Sequence, residues 1–232
     1  MELPRGFVVL ASLWIFGSWV LCIGLQPPAN PSLASYSPGV RLMVACLAVG
    51  VSAGWPLLRL SGPRERWPVR RVVIDYLTLA AIVHVVLWPL RLTTSWPPSR
   101  LAVMDATIFA WAVITGAIIA VAIHTNDRRS RTLAMIMCVL ITALGLPLLV
   151  GAASLGLAPP PAWLQGPVMN TLILGAEGGA APTAGGWAGV AAICIGGIVS
   201  WTTAWWWLRL PSAELPVQHS TDKLSGIGPP WN

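Results

Sequence analysis

Apolar residues come in six long runs, with short polar islands between them. The runs are Gly6 to Leu25, Gly39 to Leu60, Val72 to Leu92, Leu101 to His124, Leu133 to Leu157 and Trp187 to Leu208. Each is about 20 residues or more, the length a helix needs at 1.5 Å per residue to cross a hydrocarbon core of about 30 Å. The pattern predicts an all-α polytopic membrane protein: a bundle of six transmembrane helices over residues 1–208 and a polar tail over residues 209–232. Pro147 lies inside the fifth run and predicts a kink there, because proline removes a backbone donor.

The islands set the orientation. Six spans put both termini on one side. On that side lie Arg5, Arg59, Arg64, Arg66, Arg70, Arg71, Arg128, Arg129, Arg131, Arg209 and Lys223; on the other lie only Arg41, Arg91 and Arg100. Basic residues accumulate in cytoplasmic loops, so the excess predicts a multi-pass protein of the cell membrane with both termini cytoplasmic. Tryptophans mark the same boundaries. Trp55 and Trp67 flank the first basic loop, Trp88 and Trp96 flank the next link, and Trp205, Trp206 and Trp207 close the last run; indole rings favour the headgroup level. A Trp-Pro-Leu triplet occurs twice, at Trp55-Pro56-Leu57 and Trp88-Pro89-Leu90, each followed closely by an arginine. It reads as a span-end device of indole anchor, proline kink and snorkelling arginine.

One connection is long. Ala158 to Gly186 is rich in Pro, Gly and Ala and holds an apolar patch, Val168 to Leu174, too short to span. It is read as a flexible loop against the headgroups, the alternative being an interfacial or re-entrant helix.

Composition agrees with a membrane chain. Apolar residues make up 56% and charged residues 9%, against about 25% charged in a soluble domain. The net charge of +6 therefore points to headgroups and not to nucleic acid. One lysine stands against thirteen arginines, with Ala, Gly and Pro abundant. That usage points to a GC-rich bacterial genome and so to a bacterial inner membrane. Cys22, Cys46, Cys138 and Cys194 all fall in apolar runs without C-x-x-C spacing and read as small apolar residues, with no disulfide framework and no metal site. Arg5 before the first run has the look of a signal-peptide start. The run is too long for an h-region and no A-x-A site follows, so the segment is read as a retained span.

Small residues recur at four-residue spacing: Cys46, Gly50 and Gly54; Ala112, Gly116 and Ala120; Ala192, Gly196, Ser200 and Ala204. Such stripes let helix backbones approach, so Gly50, Gly54, Gly116 and Gly196 are expected at helix contacts.

Ionisable groups inside a membrane are costly and mark candidate sites. His84 lies about 18 Å from the cytoplasmic edge of its run and about 10 Å from the outer edge. Asp105 lies about 6 Å below the outer edge of the next run. A short link joins the two runs, so a His84–Asp105 pair facing the protein interior is expected, with Arg41 at the outer start of the second run as a competitor for Asp105. Asp75 precedes His84 by nine residues, which at 100° per residue puts the two on opposite faces; Arg70 and Arg71 are its expected partners. His124 ends its run about 18 Å lower than His84, and His219 is in the tail, so no two histidines are placed to ligate one haem, and no metal or other cofactor is expected.

Catalytic patterns are missing. There is no P-loop. Gly151-Ala-Ala-Ser154-Leu falls short of the G-x-S-G of intramembrane serine proteases, and His124-Thr-Asn-Asp127 is only H-x-x-D. No nucleophile–base pair is evident, so no catalytic residue is named and an enzyme is not the expected class. Two functions fit. In size and span count the chain resembles small bacterial ABC-exporter permeases, including the haem-exporter type of cytochrome c maturation; that resemblance, one of outline, implies a separate ATP-binding subunit. The alternative is a non-catalytic anchor or assembly subunit that binds other membrane proteins through its glycine stripes. In both, the lipid bilayer is the first partner.

Overall fold

The computed structural model describes residues 5–25, 32–62, 67–94, 96–125, 127–176 and 181–209. Arg64 and Arg66 of the first basic loop, and the tail beyond Arg209 with His219 and Lys223, lie outside the described residues. Among the described residues all regular structure is helical. The helices are α1 (Arg5–Cys22), α2 (Leu33–Val49), α3 (Trp55–Ser61), α4 (Pro68–Leu87), α5 (Pro98–Thr125), α6 (Arg128–Ala143), α7 (Gly145–Ser154), α8 (Gly166–Ala176) and α9 (Ala184–Arg209). Among the described residues five spans are long and apolar enough to cross a membrane, or six if α6 and α7 count as one span bent by 46°.

The second span begins earlier than the apolar run that announces it. Ser32 caps α2: its side chain accepts from Ser35 N–H, and the Ser35 hydroxyl accepts from Ser32 N–H. That reciprocal pair satisfies two donors that a helix start leaves open, so the helix starts in polar sequence ahead of Gly39. Residues Gly50–Gly54 then form a π-helical turn, with Trp55 N–H reaching back to Gly50 O, and α3 continues the same span. Pro56 explains the widening. Its ring cannot sit against the carbonyl four residues back, and a π turn relieves that contact. Ser52 on this turn accepts from Thr142 Oγ1 at 3.0 Å, tying the second span to α6.

Pro147 acts similarly on the fifth span. It offers no N–H to Ala143 O, and the helix breaks at Leu144, three residues ahead of the proline. Within the segment read as a flexible loop, the apolar patch Val168 to Leu174 is helical, which is the alternative reading of it. Within it, α8 packs on α2, α5 and α6, with Asn170, Thr171 and Leu174 buried. Gly145 and Gly166 permit this. A Cβ on Gly145 would collide with Gln165 O, and one on Gly166, whose φ is +70°, would sit 2.5 Å from Ile141 O.

Helix α5 is the hub: α9, α4, α6, α8 and α3 all pack on it. Its buried set runs round the whole helix, from Leu101, Met104 and Ile108 to Ile119 and Ile123, as expected of a helix enclosed by others. By contrast α1 is peripheral, with Ser18 its only buried residue. Arg100 is fully buried, and its Nη1 donates to Leu174 O at 2.8 Å. The guanidinium thus holds a carbonyl in the last turn of α8, where a cation is favoured by the open acceptors and the helix dipole.

Candidate functional site

Two carboxylates carry the polar chemistry described inside the bundle. Asp105 sits on α5 seven residues after Pro98, about 10 Å into the helix. It is 8% exposed. His84 Nδ1 lies 2.9 Å from Asp105 Oδ2, and Trp88 Nε1 donates to the same oxygen at 3.3 Å. The two rings sit 5.4 Å apart, centroid to centroid. The structure therefore brings His84 and Asp105 together. It encloses Asp105 but not His84, whose side chain is 57% exposed and faces outward instead of into the interior as expected. Helical rotation accounts for this. The buried face of α4 is Val72, Asp75, Leu79, Val83 and Leu87. His84 follows Val83 by one residue, about 100° round the helix, and lands beside the outward stripe of Val73, Leu77, Ala81 and Val85.

Arg41 takes no part in this pair. Its side chain lies over α8, where a Cβ on Gly175 would meet Arg41 Cγ at 3.1 Å.

The second site was not legible as such. Asp75 is fully buried, 180° from His84 on α4. Its main partner is Arg59 of α3: Nε donates to Oδ2 at 2.6 Å and Nη2 contacts the same oxygen. Trp55 Nε1 donates to Oδ2 at 3.4 Å, and Arg71 Nε lies 3.6 Å from Oδ1. Arg70, expected beside Asp75, is exposed, and Arg59 takes the role assigned to it. A signal for this existed. Both Trp-Pro-Leu triplets place an indole whose N–H donates to an aspartate, 20 residues ahead in one case and 17 in the other. The triplet is less a membrane anchor than half of a carboxylate clamp: Trp55 is buried and Trp88 half-buried.

The glycines divide by geometry. A Cβ on Gly50 would come within 2.6 Å of Trp14 Nε1, and one on Gly116 within 3.3 Å of Val72 and 3.4 Å of Trp55. Gly54 and Gly196 are roomier, with nearest atoms at 4.0 and 3.8 Å. The tight approach of α9 to α5 is one residue on, at Gly197, where Val113 Cγ1 would be 3.0 Å away. Two of the cysteines meet: Cys22 and Cys46 have sulfurs 3.9 Å apart. Among the described residues no three His, Cys, Asp or Glu side chains gather as a metal site would require.

No protein-family model, curated protein or solved structure matches this chain. Its geometry is thus the sole guide to what it does. Besides the two clamps, that geometry includes a groove of about 370 Å³ between α1 and the second span, lined by Phe7, Trp14, Trp55, Leu58 and Val83.

Proposed function

We propose that this chain is a six-span subunit of the cell membrane, with both termini cytoplasmic, that assembles with another membrane protein through the outward face of α4. The observation that carries the reading is His84. Its imidazole is more than half exposed on a stripe that is otherwise apolar, about 24 Å along α4 from Pro68. An uncovered polar ring at that depth is costly in hydrocarbon. Asp105 and Trp88 fix its orientation. With an Nδ1 proton directed at the carboxylate, Nε2 is left facing outward as an acceptor. The partner that fits is a transmembrane helix with small and apolar residues and one hydroxyl or amide donor, since such side chains bond across helices in membranes.

A permease paired with an ATP-binding subunit receives less support from the same geometry. The two clamps lie about 14 Å apart along α4, and Leu79 and Val83, both buried, fill the inward face between them. The buried threonines of α5 bond back to their own helix, Thr107 to Val103 O and Thr115 to Trp111 O, and offer no polar track.

Site-specific photo-crosslinking in intact membranes tests the assembly reading. A photoreactive residue at Ala81 or Val85 is expected to capture a membrane protein, while the same group at Val139, on an exposed face of α6, is expected to capture lipid. His84→Leu is expected to weaken the capture. Equal crosslinking from α4 and α6, or capture indifferent to His84→Leu, would exclude α4 as the interface. Recovery of an ATPase as the captured species would restore the permease reading.

A further inference from the structure

Helices α6 and α9 both pack on α5 and leave a wedge between them. The wedge has a volume of about 670 Å³, within the range of small-molecule sites. Its floor is Ala117 and Val121 of α5, and its walls are Leu133 and Met137 of α6 and Thr203 and Trp207 of α9. Polarity is graded along it. At one end stand Asp127, Arg129 and Ser130, and a shallower recess lined by Arg128, Arg129 and Thr132 adjoins that end. Away from that end the lining is mainly apolar, with the Ser200 hydroxyl turned back to Gly196 O of its own helix.

We infer that this wedge holds one anionic phospholipid, phosphate at the Arg128–Arg129 rim and an acyl chain along the α6–α9 gap. The inference rests on the membrane reading above but not on the α4 interface. Length agrees with it: nine residues separate Arg128 from Met137, a rise of about 14 Å, close to one leaflet of a hydrocarbon core of about 30 Å. Charge agrees as well. Arg128 and Arg129 outnumber Asp127 at the rim, and the Asp127 carboxylate is turned to the helix start, accepting from Arg129 N–H at 3.2 Å. Both arginines are exposed, and neither side chain makes a hydrogen bond or ion pair among the described residues. A phosphate monoanion supplies the acceptors such guanidinium groups match. Trp207, exposed at the mouth of the wedge, has the amphipathic ring that prefers the headgroup level. A zwitterionic headgroup brings no net charge to the rim, so the arrangement selects for an anionic one.

The test is native mass spectrometry of the full-length protein in mild detergent, titrated with phosphatidylglycerol or with phosphatidylcholine of the same chains. The first phosphatidylglycerol is expected to bind about tenfold more tightly, the weight of one charge-assisted contact. Arg128→Gln with Arg129→Gln is expected to bring it down to the phosphatidylcholine level. Thr203→Trp, at an exposed position that tolerates bulk, is expected to weaken both lipids by filling the wedge. Equal binding of the two lipids in the wild type overturns the inference. So does a phosphatidylglycerol preference that survives the double arginine variant, lipid binding left unchanged by Thr203→Trp, or displacement by millimolar inorganic phosphate, which would mark an anion site with no acyl groove. Extraction of the chain from membranes by alkaline carbonate would instead refute the membrane reading itself.

Discussion

Trp55 and Trp88 make the same contact toward opposite ends of α4: each indole N–H donates to a carboxylate, Asp75 in one case and Asp105 in the other. Each carboxylate also faces a basic side chain from the helical segment that carries the tryptophan or lies just before it, Arg59 and His84 respectively. The clamps differ in burial, and that difference orders their energetics.

Asp75→Ala removes the carboxylate from the buried Arg59–Asp75 pair, and removing one partner of a buried pair costs about 3–5 kcal/mol. Asp105→Ala strands the Trp88 N–H and an exposed imidazole, at about 1–3 kcal/mol. Thermal unfolding in detergent is expected to rank Asp75→Ala below Asp105→Ala, with Asp105→Asn near wild type because an amide oxygen still accepts from Trp88. The reverse ranking would mean that the Arg59–Asp75 contact contributes little to stability.

Glycine replacements are expected to split sharply. Gly145→Ala and Gly166→Ala push a Cβ into the backbone between α6 and α8, and should cost about 1–3 kcal/mol by overpacking. Gly151→Ala, with nothing within 4 Å of the added carbon, should be neutral or stabilising by about 1 kcal/mol, since alanine is the better helix former. Circular dichroism melts of the three variants decide the matter. A harmless Gly145→Ala would mean that α8 does not dock there.

Cys22 and Cys46 offer a chemical ruler. With sulfurs 3.9 Å apart, they need only a small adjustment to bond at about 2.05 Å. Mild oxidation of membranes with a copper–phenanthroline catalyst, followed by alkylation and peptide mass analysis, should recover the Cys22–Cys46 crosslink ahead of any pairing with Cys138 or Cys194. Preferential pairing with Cys194 would displace α1 from its position on α2.

The orientation is open to direct labelling. In a variant with the four native cysteines replaced by serine, Ser61→Cys and Ser130→Cys should resist an impermeant maleimide in intact cells and react after permeabilisation. Ready labelling from outside would invert the topology and move the anionic-lipid wedge to the other leaflet.

Much of this bundle is written in the chain at the level of single helices. Apolar runs of about 20 residues mark the long helices because the bilayer fixes their length. The nine-residue spacing sets Asp75 and His84 half a turn apart, as the structure has them. What the chain does not write is rotation about each axis. Asp75 finds Arg59 and not Arg70 because α3 faces α4 there. Gly197, not Gly196, meets α5 because α9 is turned by one residue's 100°. In the chain, helix α8 reads only as the alternative to a loop because eleven residues are too few for a span, and its buried Asn170 and Thr171 interrupt the apolar pattern.

The loose attachment of α1 carries a consequence for how the molecule is partitioned. It is fastened by the Trp14 indole, which fits the notch at Gly50 and donates to Cys46 O at 3.0 Å, and by Arg59 stacked 6.0 Å over the Phe7 ring. Nearly all of the remaining interior closes without it. The described residues from 32 to 209 therefore form a separable body, and α1 is a removable stave. Expressed as two chains cut between Leu25 and Ser32, the two pieces are expected to find each other through the Trp14 key in its Gly50 slot, backed by the Arg59–Phe7 contact.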